Sequence, residues 1–157
     1  MLPVLIPPGT TGGVVGDQVS QLRCQNQGVS DPKRTSSGSP FEATIGFSRA
    51  VQVGDRVLVS GTGPVWPDGT CPDDADRQAR RCFEIIAATL SEAGATVADV
   101  VRTRMFITST GDAESIGAVH REIFDQIRPA ATMVVVAALL DPRWRVEIEA
   151  EAVMARR

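Results

Sequence analysis

Residues 146–154 read Val-Glu-Ile-Glu-Ala-Glu-Ala-Val-Met, an alternation of apolar and acidic side chains unbroken through Ala152. In an extended strand successive side chains point to opposite faces. Val146, Ile148, Ala150 and Ala152 therefore share one face, and Glu147, Glu149 and Glu151 share the other. A second run, residues 100–108 (VVRTRMFIT), repeats the pattern with the opposite charge. Val101, Thr103, Met105 and Ile107 fall on one side, and Arg102, Arg104 and Phe106 on the other. Two strands of this kind predict a sheet with one apolar face and one face where Arg and Glu rows meet.

The rest of the chain supplies what covers the apolar face. Residues 48–53 and 56–60 read as strands joined by Gly54-Asp55, a two-residue hairpin signal. Between the acidic start Pro72-Asp73-Asp74 and the stop Gly94, six apolar residues recur at three- and four-residue steps: Ala75, Ala79, Cys82, Ile86, Leu90 and Ala93. That spacing predicts an amphipathic helix. Residues 112–127 predict a second, with Ile116, Val119, Ile123 and Ile127 on its buried stripe. Residues 132–138 read as a near-continuous apolar strand, broken by Asp141-Pro142. The order is ββαβαββ, an α/β (α+β) fold with two helices on one face of a mixed sheet. The charged face is then left uncovered, and association of subunits would cover it. A carboxylate held there beside an apolar wall has a raised pKa and can act as acid or base. The alternative is a set of ion pairs that only fix assembly.

Composition narrows the function classes. The 157 residues are 43% hydrophobic and 22% charged, the balance of a folded domain. No apolar run is long enough for a membrane-spanning helix. The net charge of −3 argues against a nucleic-acid partner, and the seven aromatic residues include no Tyr for base stacking. Three cysteines and a single histidine build neither a disulfide scaffold nor a metal site, so no metal is expected. The cysteine usage fits a reducing cytoplasm. Cys82 reads as a small core residue, and His120 as a partly buried packing residue with one hydrogen bond. Residues 1–33, rich in Gly, Pro, Gln and Ser and without periodicity, read as a flexible arm or as the product of a mis-assigned start. Residues 34–157 form the domain.

Three segments carry a resemblance: IGFSRAVQVGDRVLVSGTGPV, QARRCFEIIAATLSEAGATVADVVRTRMFIT and RPAATMVVVAALLDPRWRVEIEAEAV. Together they resemble the Rid family, the YjgF-like reactive-intermediate deaminases formerly labelled endoribonuclease L-PSP. The resemblance implies a chorismate-mutase-like fold and a homotrimer with a central barrel and ligand clefts between subunits. It also implies hydrolysis of 2-imino or enamino acids without metal or organic cofactor. Carried over residue by residue, Glu147 matches the cleft glutamate that positions water, and Gly61 the cleft glycine. Thr62, Ser48 and Thr132 fall in the ligand-binding segments, with Ser48 where many deaminases have Tyr and Met133 where many have Cys. Ala131 stands where deaminases carry the arginine that grips the substrate carboxylate, as in the arginine-lacking subfamilies. Arg104, or Arg128, is the candidate substitute. The implied function is an intersubunit cleft for a small carboxylate or carbonyl metabolite, with divergent imine or enamine C–N hydrolysis. A non-catalytic binding trimer is the alternative, and RNA cleavage ranks last.

Overall fold

The computed structural model describes residues 31–155. Its six strands are β1 (Lys33–Thr35), β2 (Ala50–Val53), β3 (Arg56–Thr62), β4 (Val100–Ile107), β5 (Ala130–Val135) and β6 (Val146–Val153). The helices are α1 (Pro40–Ile45), α2 (Ala75–Glu92) and α3 (Ala113–Phe124). One sheet runs in the order β1-β2-β3-β6-β4-β5. Only the β4–β5 pair is parallel; α3 makes the crossover between them.

The alternating strand lies in the middle of the sheet because both its edges are paired, to β3 and to β4. Its apolar face is fully enclosed: Val146, Ile148, Ala150 and Ala152 are all buried. Against this face α2 lays Ala79, Cys82, Ile86 and Leu90, and α3 adds Ile116 and Val119. The β2–β3 hairpin turns at Gly54-Asp55 as expected. Gly54 has φ +61° and Asp55 does not share that left-handed conformation, the pattern of a turn that needs glycine in its first central position. Gly94 ends α2 with φ +80°, a backbone that a Cβ would strain.

Four sequence expectations need correction. Ahead of the expected ββαβαββ stand β1 and α1, three and six residues long, too short for periodicity to reveal. Lys33 opens β1 and pairs with Gln52, so the chain enters the sheet earlier than the expected boundary; residues 1–30 lie outside the described residues. The strand expected over 132–138 runs instead from Ala130 to Val135 at the sheet edge, and five of its six residues are exposed. The helix expected over 112–127 is regular only from Ala113 to Phe124.

The fourth correction concerns two bulges that flank β6. On β4 the register slips between Val100 and Arg102. Val100 rather than Val101 enters the core, and Val101 is 43% exposed. On β3 the register slips between Val59 and Thr62, so three steps along β3 match two along β6. An extra residue breaks the ladder locally and re-aims the side chains beyond it. Here it turns Thr62 into the core and presents Ser60 and Gly61 to the charged side.

Candidate functional site

The two charge rows do meet. Arg104 donates to Glu149 Oε2 at 3.2 Å and to Glu151 Oε1 at 3.0 Å. Arg56 reaches Glu151 at 3.3 Å, and Arg102 lies 3.9 Å from it. Glu151 is thus surrounded by three cations. These pairs are partly solvated, and each is worth well under about 1 kcal/mol. Their effect is to leave Glu147 as the acidic residue of the row set apart from this network.

Glu147 sits at the other end of β6, with Phe106 of β4 in register beside it. It is half-buried. Burial is the main cause that raises its carboxyl pKa; the neighbouring Glu149 charge adds to this, and the Arg49 guanidinium works against it. A carboxyl raised in this way is a better base when ionised and a usable acid when protonated. Its position depends on Gly61. A Cβ built on Gly61 would stand 3.1 Å from the Glu147 Cδ and well inside van der Waals contact of Oε1. The carboxyl fills the space that any side chain at position 61 would take.

Arg49, just before β2, completes the site, and sequence reasoning did not single it out. Its Nη2 donates to the main-chain carbonyls of both bulge residues, Ser60 and Gly61, the latter at 2.7 Å. The same stretch is held by Ser60 N–H to Arg49 O at 3.1 Å and Ser60 Oγ to Ser48 O at 2.7 Å. In the sequence Arg49 looks like any arginine in a half-exposed strand. Its role comes from a bulge that no local pattern announces.

The start of β6 is fixed from the helix side. Gln78 of α2 is fully buried and donates to Pro72 O at 2.8 Å and Arg143 O at 3.0 Å. Its Oε1 accepts from Arg145 N–H at 2.7 Å. Trp144 packs over Gly63, where a Cβ would lie 2.7 Å from ring atom Cε3. Arg145 bridges Asp73 at 2.9 Å and Asp112 at 3.0 Å, which raises its own pKa and lowers that of Asp73.

The other expected site residues are dispersed. Ser48 contributes its carbonyl to the Ser60 bond. Thr62 is buried, and its hydroxyl donates to Ser60 O at 2.9 Å, which places it beneath the bulge in the core. Thr132 lies exposed on β5 in register with Arg104. Arg104 is engaged by Glu149 and Glu151, and Arg128 by Asp125, whose carbonyl takes its Nε–H at 2.9 Å. Among the described residues, no hydrogen bond or ion pair joins either cation to Glu147. Cys82 is buried among core side chains, and burial pushes its thiol pKa far up. His120 makes its one hydrogen bond to Thr103 Oγ1 at 2.9 Å and packs on Phe83 and Phe124, as the sequence suggested. No group of three metal-ligating side chains occurs among the described residues.

Comparison with known proteins agrees with this architecture. The Endoribonuclease L-PSP family profile matches residues 38–154. A crystal structure of a YjgF-family protein from Mycobacterium tuberculosis is 43% identical, covering 79% of this chain and 100% of its own, with a TM-score of 0.73. The 2-iminobutanoate/2-iminopropanoate deaminase of Salmonella typhimurium is 35% identical over 120 residues, 73% of this chain and 91% of that protein. The structure of Escherichia coli TdcF with bound serine is 32% identical with a TM-score of 0.66, covering 78% of this chain and 94% of its own. The sheet order, the helical layer and these matches together make the chain a member of the Endoribonuclease L-PSP family, the Rid or YjgF-like family that its motifs resemble.

Proposed function

We propose that the chain works as a homotrimer whose intersubunit clefts bind a small imine- or carbonyl-bearing metabolite and hydrolyse its C–N bond, with Glu147 as the acid–base group. The observation that carries this reading is the half-buried Glu147 carboxyl, raised in pKa and seated against Gly61. In the reaction Glu147 takes a proton from water as the oxygen attacks the imine carbon. That proton passes to nitrogen to give a carbinolamine; the hydroxyl proton then passes to nitrogen as the C–N bond breaks, and ammonia leaves a carbonyl product. The Salmonella relative carries that chemistry in its name.

Trimer formation is supported by surface that one subunit leaves open. Among the described residues, α2 and α3 supply the core that packs on the apolar face, while Leu58 of β3, paired with Glu151 on the charged face, is 42% exposed. At the edge, Val134 and Val135 of β5 are 42% and 51% exposed, and Leu140 beyond it is 89% exposed. An exposed apolar edge strand is a surface that association removes. Light scattering should give a mass near three times 16.7 kDa; a stable monomer would remove the intersubunit cleft.

A second reading, a binding trimer without turnover, is favoured by Ala131, which offers no charge to a substrate carboxylate. The test is hydrolysis of a panel of small imines and enamines generated in situ. Turnover of at least one, lost in Glu147→Gln while the oligomer persists, supports hydrolysis. Binding of the carbonyl product without turnover of any imine establishes the second reading.

A further inference from the structure

We infer that Arg49 is the positioning residue of the Glu147 site: by clamping the Ser60 and Gly61 carbonyls it holds the bulge against which the Glu147 carboxyl rests. The inference deepens the proposed function and rests on its reading of Glu147 as the acid–base group.

The argument starts from an unusual commitment. Arginine is the side chain best suited to grip a carboxylate through two parallel bonds. Arg49 instead spends one nitrogen on two main-chain carbonyls of a bulge. The bulge takes these carbonyls out of the regular register, and Arg49 donates to both, beside the Thr62 hydroxyl that also reaches Ser60 O. The Nε–H of Arg49 is buried and has no partner among the described residues. A half-buried guanidinium whose shielded Nε–H goes unpaired among the described residues is an expensive way to fill space. What it achieves is local. Residues 48 and 49 are tied to Ser60 and Gly61 by four hydrogen bonds, two from Arg49 and two from Ser60. That lattice fixes the backbone of Gly61, the surface under the carboxyl.

Charge adds a second consequence. The ionisable groups acting around Glu147 are Glu149 on β6, Cys82 on α2 and Arg49. Arg104 on β4 is engaged with Glu149 and Glu151, and Glu42 of α1 acts on Arg49. Cys82 remains a neutral thiol because burial holds its pKa high. Arg49 is therefore the cation that offsets burial and Glu149, keeping Glu147 within reach of ionisation.

The test follows the Glu147 carboxyl by carbon NMR titration in the full-length chain. Arg49→Lys, which keeps the charge but not the two-carbonyl clamp, should shift the Gly61 amide resonance and lower the Glu147 midpoint toward the ordinary carboxylate range as the carboxyl leaves its seat. Arg49→Met, which removes clamp and charge together, should titrate Glu147 above Arg49→Lys and leave the remote Glu122 unchanged. A Gly61 amide and a Glu147 midpoint both unchanged in Arg49→Lys overturn the inference. Should that variant not fold, the wild-type Arg49 Nε–H resonance decides. It should follow the Glu147 titration and lose that response in Glu147→Gln; a resonance indifferent to the titration overturns the inference. These readouts need no turnover, so an enzyme inactive on imines that still shows both shifts refutes hydrolysis and leaves the Arg49 role standing.

Discussion

Replacing Gly61 by Ala separates the site from the scaffold. The added Cβ would lie 3.1 Å from the Glu147 Cδ and much too close to Oε1. Ordinary carbon contacts lie near ~3.5–4 Å, so the carboxyl must retreat by about 1 Å or more. The obstacle is the end of a flexible side chain, so the overpacking penalty belongs at the low end, about 1 kcal/mol. Gly61 does not have a left-handed φ, and Ala gains roughly 0.4–1 kcal/mol by restricting the unfolded chain. The two effects nearly cancel, and urea denaturation at fixed protein concentration should show a net change within about 0.5 kcal/mol. The carboxyl, in contrast, moves off its seat toward water. Its raised pKa should fall toward the ordinary carboxylate range, and any turnover should drop about 100-fold, the effect of a misplacement of roughly 1 Å. In a Glu147→Ala background the clash is gone, so Gly61→Ala should become stabilising by about 0.5 kcal/mol. Equal stability changes in both backgrounds, with an unmoved Glu147 titration, would refute the packing argument.

Gly63→Ala should behave oppositely, because its Cβ meets the rigid Trp144 ring; a loss of about 2–3 kcal/mol in urea denaturation is expected. Gln78→Leu strands the Arg145 N–H and two carbonyls and should cost about 3 kcal/mol, read in the same assay. Burial lowers the His120 pKa, so the folded state favours neutral imidazole. Stability from this site is complete above the ordinary histidine value of 6.5 and is lost as pH falls from there through the lower folded value. A His120→Gln variant should lose that acid-side slope in stability measured against pH. Ala131→Arg should strengthen binding of small 2-keto acids by roughly ten- to a hundredfold, the roughly 1.5–3 kcal/mol of a charge-assisted pair, as read by titration calorimetry; no gain would mean that position 131 does not face the ligand.

The central strand was determined locally. Its two faces are written into residues 146–154 by alternation, and the stripe of α2 by three- and four-residue steps. Each periodicity needs only the geometry of its own element. The single hydrogen bond of His120 and the burial of Cys82 came from where those residues stand on their helices. The motifs placed the chain in its family for a different reason: they span nearly the whole domain after residue 34. What failed was whatever depended on pairing. β1 and α1 are too short to carry a period, and β1 exists because β2 offers it an edge. Val101 alternates correctly in the sequence and is nonetheless exposed, because the β4 bulge resets the register. Thr62 went the same way on β3, turned into the core one residue past the expected cleft. Arg49 reaches the backbone beneath Glu147 because that bulge presents the Ser60 and Gly61 carbonyls to it. An extra residue in a ladder is defined against the neighbouring strand, so the seat of Glu147 was decided by tertiary pairing, while the place of the glutamate on the charged face of β6 was legible from the alternation.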